Sequence, residues 1–323
     1  MKKRASPGFT LIELLVATAV TAIIVGLMIT MVNNLLTAYN RSSGALAAQS
    51  QAGFVLDQLA TEVESMVLRN TDDVMLAATI RHGADAPSGF EWSESDKPSG
   101  NDSLVVQSVS GAARFDALDP IESQRFGQGG VFLRYFTSAP SLTDDDDEGV
   151  RAVGYRLELD GVTSATDAPL QYMLYRGEIP ARATFEAGYD LDPDAGDYTE
   201  DEVGTTDSAP NTLLDPTEAN IIAGNVVDFG VRFFEISEAP ANFKQRGLLF
   251  PLDSSDVEYL AAGSGAEEYP RAIEVMLRIL TPEGERLLEA LREGNLTGRT
   301  WWEIVDQNSE VFSRVINIPS RPL

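Results

Sequence analysis

Apolar and polar positions divide the chain into two unlike parts. Between Phe9 and Asn40 the only charged residue is Glu13. Residues 9–32 form one apolar run. Wound as a helix at about 1.5 Å per residue, a run of this length crosses a hydrocarbon core of roughly 30 Å. Past the run the pattern changes. Ala52, Leu56, Leu59, Val63 and Met66 recur at spacings of three and four, which is one face of a helix. Asp57, Glu62 and Glu64 are read as its solvent side. Gly44 and Gly53 are points where it could bend. The run Asn70-Thr71-Asp72-Asp73 is read as its end.

After an irregular stretch over 71–101 the chain reads as strands. Candidates are residues 103–109, 131–136, 153–159, 170–175, 225–236, 272–280 and 311–318. The third alternates Tyr155, Leu157 and Leu159 with Arg156, Glu158 and Asp160. The fifth places Val227, Phe229, Val231 and Phe233 opposite Asp228 and Arg232. The sixth places Ile273, Val275, Leu277 and Ile279 opposite Glu274 and Arg278. Most strands follow one another without helices between them, which argues for antiparallel sheet. One further helix is expected over 283–291, after Thr281-Pro282. No fixed-period repeat is present.

Composition narrows the function. Of 323 residues, 24 are Lys or Arg and 50 are Asp or Glu, a formal charge of −26. Phosphate backbones repel such a chain, so no nucleic-acid partner is expected. There is no cysteine, which removes disulfides, thiol nucleophiles and Cys-ligated metal. The single histidine, His82, cannot build a two-His metal site and is read as a surface loop residue. No residue set supports catalysis, and the chain is not read as an enzyme.

The basic cluster Lys2-Lys3-Arg4 precedes the apolar run, so residues 1–8 are expected in the cytoplasm and the bulk across the membrane. A cleaved secretory signal would have a shorter run and a small-residue cleavage site after it. An uncleaved anchor fits the length but leaves Glu13 unexplained. A lone carboxylate in a span is costly and marks a function unless it snorkels to the membrane edge.

Gly8-Phe9-Thr10-Leu11-Ile12-Glu13-Leu14 resembles the signal of type IV pilins and type II secretion pseudopilins. The resemblance implies cleavage by a prepilin peptidase between Gly8 and Phe9, and N-methylation of Phe9. It implies that Glu13 meets the Phe9 amine of a neighbouring subunit during assembly, which would remove two unpaired charges from lipid. It also implies a pilin-like α+β fold: a long N-terminal helix, its first half transmembrane, packed on an antiparallel β-sheet domain. The parts would be a leader over 1–8, a transmembrane helix over 9–32, a periplasmic half-helix over 33–70 and a β-rich periplasmic domain over 71–323. Three blocks resemble the J-type minor pseudopilin in particular. They are residues 225–234, residues 269–275, and Phe312 to Ile316 with Pro319 after them. The partners implied are I- and K-type minor pseudopilins, the major pseudopilin, the prepilin peptidase and the inner-membrane assembly platform. The location implied is the inner membrane, single-pass, with the globular domain in the periplasm. A PilW-like minor pilin that primes a type IV pilus is the alternative. A pilin-type anchor carrying a binding module is another.

No cofactor is expected; calcium is the one for which the residues offer a weak pattern. Asp190, Asp192 and Asp194 alternate as at the start of a calcium loop, with Asp197 and Asp201 following. The pattern then departs, since Gly196 is one place late and Asp201 stands where a bidentate Glu is wanted. The acidic run from Asp144 to Glu148 is read as a solvated loop. Gly129-Gly130 and Gly263-Ser264-Gly265 are read as turns. Trp301 and Trp302 are read as either a partner-facing patch or core.

Overall fold

The structure is a computed structural model of the full chain. It describes residues 10–80, 130–142, 148–161, 169–206, 208–238, 244–250, 258–263, 269–299 and 301–318. The expected strand at 103–109 and His82 lie outside these, as do residues 144–147. The chain divides into two units, Met1–Ala47 and Ala48–Leu323.

Helix α1 runs over Leu11–Glu64 without interruption at Gly44 or Gly53. It stops earlier than the sequence suggests. The backbone after Glu64 is taken up by β2 (Val131–Thr137). Met66 bridges Thr137, and the Val67 N–H donates to the Phe136 carbonyl at 2.9 Å. In the second unit the helix buries Ala52, Leu56, Leu59 and Val63, as the spacing predicts, and also Val55. Glu62 corrects the prediction. It is fully buried, not solvent-facing. Val55, Leu59, Glu62 and Met66 are spaced four, three and four, so the carboxylate belongs to the apolar stripe.

The described strands form a six-stranded sheet and a four-stranded sheet, with every pair antiparallel. The first contains β1 (Val74–Ile80), β2, β3 (Arg151–Gly161), β4 (Leu170–Ile179), β7 (Ile221–Gly224) and β10 (Glu258–Ala262), in the order β10-β1-β2-β3-β4-β7. The second contains β8 (Val226–Glu238), β9 (Lys244–Phe250), β11 (Ala272–Leu280) and β12 (Ser309–Asn317), in the order β12-β11-β8-β9. A short ribbon joins β5 (Glu202–Val203) to β6 (Ala209–Pro210).

Strands β1 and β2 are buried at every position. Cross-strand partners place Tyr135, Tyr155 and Arg176 on one face of the sheet, and all three bond Glu62 of α1. The other face meets the segment from helix α2 (Ala181–Ala187) to Leu214. There Phe136 packs edge-on against Tyr189 and Tyr198, at 5.4 and 5.8 Å between ring centroids. Gly154 and Gly177 are cross-strand partners under this segment. A Cβ on Gly177 would lie 2.1 Å from the Thr212 carbonyl oxygen, so the close approach requires glycine.

The chain changes sheets at Asn225, between β7 and β8. Its φ of 58° is left-handed, a conformation Asn adopts more readily than most residues. Its carbonyl accepts from the Leu280 N–H, and its Nδ2 donates to Glu285. The register between β8 and β11 then slips: Arg278 faces Asp228 while Ile279 faces Val226. This bulge corrects the alternation read for β8. Val226 joins the main core with Phe229, Val231 and Phe233, while Val227 turns to the opposite cluster.

That opposite cluster holds helices α3 (Pro282–Arg292) and α4 (Trp301–Gln307). Thr281 caps α3, its hydroxyl accepting from the Gly284 N–H, and Pro282 stands at the start where no N–H is needed. Leu288, Trp301, Ile304 and Val305 pack with Val227 and Leu280. Trp301 is core, and its Nε1 donates to the Tyr172 hydroxyl at 3.2 Å. The charges read opposite the apolar sets of β8 and β11 face one another across the strands. Arg232 lies 3.7 Å from Glu274, and Asp228 and Arg278 face each other, both buried.

Candidate functional site

The residues that the sequence singles out most strongly lie at the start of α1. Thr10 stands one place before the helix, and Glu13 is its third residue. Together they close a capping box. The Thr10 N–H and hydroxyl both donate to Glu13 Oε2 at 2.9 Å, and the Glu13 N–H donates back to Thr10 Oγ1 at 3.3 Å. The helix therefore starts at Leu11, directly after the capping threonine. Gly8 and Phe9 lie outside the described residues.

The helix continues as an apolar surface. Over Leu11–Leu36, 26 residues, it is long and apolar enough to cross a membrane. Leu11, Ile12, Leu15, Ile23, Leu27 and Met31 are all exposed in the isolated chain. The hydroxyls in this segment are satisfied within the helix. Thr21 donates to the Ala17 carbonyl at 2.8 Å and Thr30 to the Gly26 carbonyl at 3.0 Å. Thr18 donates to the Leu15 carbonyl at 2.9 Å. Such back-bonding removes the desolvation cost that free hydroxyls would carry in lipid. Glu13 is thus the one formal charge on an otherwise lipid-compatible cylinder.

The acidic loop has a local role. Asp190 Oδ1 accepts from the Val74 N–H and from the Asp192 N–H, both at 3.0 Å. Asp192 Oδ1 accepts from the Asp194 N–H at 2.9 Å. The Asp201 carbonyl accepts from the Asn211 N–H. These bonds fasten the loop to the start of β1 and shape its turns. Among the described residues no three Asp, Glu or His side chains converge as a metal shell, so Asp190, Asp192, Asp194, Asp197 and Asp201 are not brought together as one.

The polar cluster missed in the sequence is centred on Glu62. Its Oε2 accepts from the hydroxyls of Tyr135 at 2.9 Å and Tyr155 at 2.7 Å. Its Oε1 accepts from Arg176 Nε at 2.8 Å and from Gln58 Nε2 at 2.6 Å. Arg176 reaches on to Glu178 at 2.6 Å, and Arg151 lies 3.2 Å from Glu178. Burial and the Glu62 charge hold both tyrosines well above the ordinary phenol pKa, so they remain donors. Burial works against the Arg176 charge, but the Glu62 and Glu178 carboxylates more than offset it and its pKa is raised.

Residues 3–29 match the family described as the prokaryotic N-terminal methylation motif. The chain carries a type IV pilin-like signal. The matched span includes Gly8, Phe9 and Glu13, the three positions expected to carry cleavage, methylation and assembly. No curated protein matches the chain. Among solved structures, a type IV-like pilin from Thermus thermophilus is similar over 86% of this chain and 99% of that chain, at 11% identity and a TM-score of 0.31. The fold class stands on the chain's own elements. They are a long N-terminal apolar helix and an antiparallel β-sheet domain, as the sequence predicts.

Proposed function

We propose that this protein is a minor pseudopilin of the J type, a structural subunit at the tip of a type II secretion pseudopilus. The observation that carries the reading is the methylation motif over residues 3–29, on a helix whose apolar segment bears the single carboxylate Glu13. The J-type assignment draws on the three blocks at 225–234, 269–275 and 312–316. They run along β8, up to and into β11, and along β12, which are consecutive neighbours in one sheet. A resemblance scattered in sequence is therefore contiguous in the fold.

On this reading the precursor enters the inner membrane with its leader in the cytoplasm. The prepilin peptidase cuts after Gly8 and methylates Phe9. Glu13 exchanges part of its bonding with Thr10 for the methylated amine of an adjacent subunit. The apolar segment packs into the fibre core, and the acidic β domain faces the periplasm and its I- and K-type neighbours. The chain catalyses nothing. Its work is to occupy a place in the fibre and present a surface there.

The test is deletion and complementation in the native host. Loss of the gene is expected to stop secretion of periplasmic cargo, and the wild-type chain is expected to restore it. Normal secretion with lost surface pili would move the protein to a pilus-priming role.

A further inference from the structure

We propose that the buried Glu62 cluster fixes the register of α1 on the six-stranded sheet, acting as a key and not as a net source of stability. The rest of the helix stripe is permissive. Ala52, Val55, Leu59 and Val63 are apolar side chains of small or medium size, and they lie in the main apolar core. Apolar attraction has no direction, so a helix slid by one turn, about 5.4 Å, would bury similar surface. Glu62 breaks that degeneracy. It is fully buried, and four side chains from the helix and two strands of the sheet's middle, with β4 beside them, converge on it. In any slipped register the carboxylate would be buried without those donors, and Tyr135, Tyr155 and Arg176 would lose their acceptor.

The cluster is also charge-balanced. Glu62 and Glu178 face Arg176 and Arg151, and Ser141 donates to Glu178. The Glu62 carbonyl is held as well, accepting from Thr137 Oγ1 at 2.8 Å. The same residue therefore positions the helix through its side chain and through its backbone. Balanced buried ion pairs contribute little net stability over apolar residues of equal volume, and in some proteins their directionality selects one arrangement.

Distance measurement between two spin labels tests the proposal on the full chain in detergent. The chain has no native cysteine, so labels attach only at introduced sites. Glu64→Cys on the helix and Glu310→Cys on β12 are both exposed positions. The parent is expected to give one narrow distance. An apolar variant, Glu62→Leu with Arg176→Leu, Tyr135→Phe and Tyr155→Phe, is expected to melt cooperatively close to the parent. Its distance distribution is expected to split or broaden by about one helical turn, roughly 5 Å. A folded variant that keeps the single parent distance would overturn the proposal. A variant with no cooperative transition would also overturn it, because the cluster would then supply stability and not register. Glu62→Gln, which retains an acceptor for the tyrosines, is expected to keep the single distance, and a split there would count against the directional role.

Discussion

Two glutamates on one helix meet opposite environments, and each is answered by its own neighbours. Glu13 is exposed on the apolar segment and is satisfied by Thr10. Glu62 is buried and is satisfied by the sheet. Replacement separates their roles. Glu13→Ala is expected to leave cleavage intact and to sharply reduce recovery of the chain in sheared or purified fibres; unchanged recovery would remove the pairing role. Glu62→Ala strands Arg176 and two phenols in a dry site. Breaking one partner of such a network costs about 3–5 kcal/mol, which urea denaturation would register. Gly177→Ala tests the sheet's other face. Its Cβ would collide with the Thr212 backbone at 2.1 Å, and overpacking of this kind costs about 1–3 kcal/mol. A neutral Gly177→Ala would mean that the 208–214 segment yields freely. At this scale the signal was legible where chemistry is unusual, as with one carboxylate in an apolar run. Glu62 is not, because a carboxylate among apolar residues reads as solvent-facing by its type. Its spacing from Leu59 and Met66 pointed the other way.

Among elements, the legible ones were those with a clean alternation or a strong cap. Helix α3 begins where Thr281-Pro282 places it, and β11 shows its inward set Ile273, Val275, Leu277 and Ile279 as alternation predicts. Strands β1 and β2 are buried on both faces, so alternation says little about them. The bulge at 226–228 defeats a period-two reading of β8 for a geometric reason: one extra residue sends Val227 to the far face. The covering segment from 181 to 214 has no period, and it holds by bonds such as Asp190 to Val74 that a linear pattern does not contain. Two expectations belong here. Trp301→Ala should empty the cluster under α3 and α4, at about 3–5 kcal/mol, while leaving processing at Gly8 unaffected. Thr281→Ala should remove one cap bond of α3 at about 1 kcal/mol, visible as a small loss in the same denaturation assay.

For the whole molecule the division of labour follows charge and hydropathy. The first unit carries the apolar helix segment and the methylation motif. The second carries the antiparallel sheets, and the chain as a whole is strongly acidic. The pilin-like signal and the apolar segment lie within fewer than forty residues, because the proposed membrane crossing and peptidase recognition would each demand a fixed local pattern. The proposed function makes no such demand on any short stretch of the β domain, whose neighbours in a fibre would be specified by surface shape. The claim on which the rest depends is maturation at Gly8. Intact mass and N-terminal sequencing of the protein from native membranes measure it directly. The expected chain begins at N-methylated Phe9, and a Gly8→Ala variant is expected to keep its leader and its full precursor mass. A chain still beginning at Met1, in a host with an active prepilin peptidase, would contradict it.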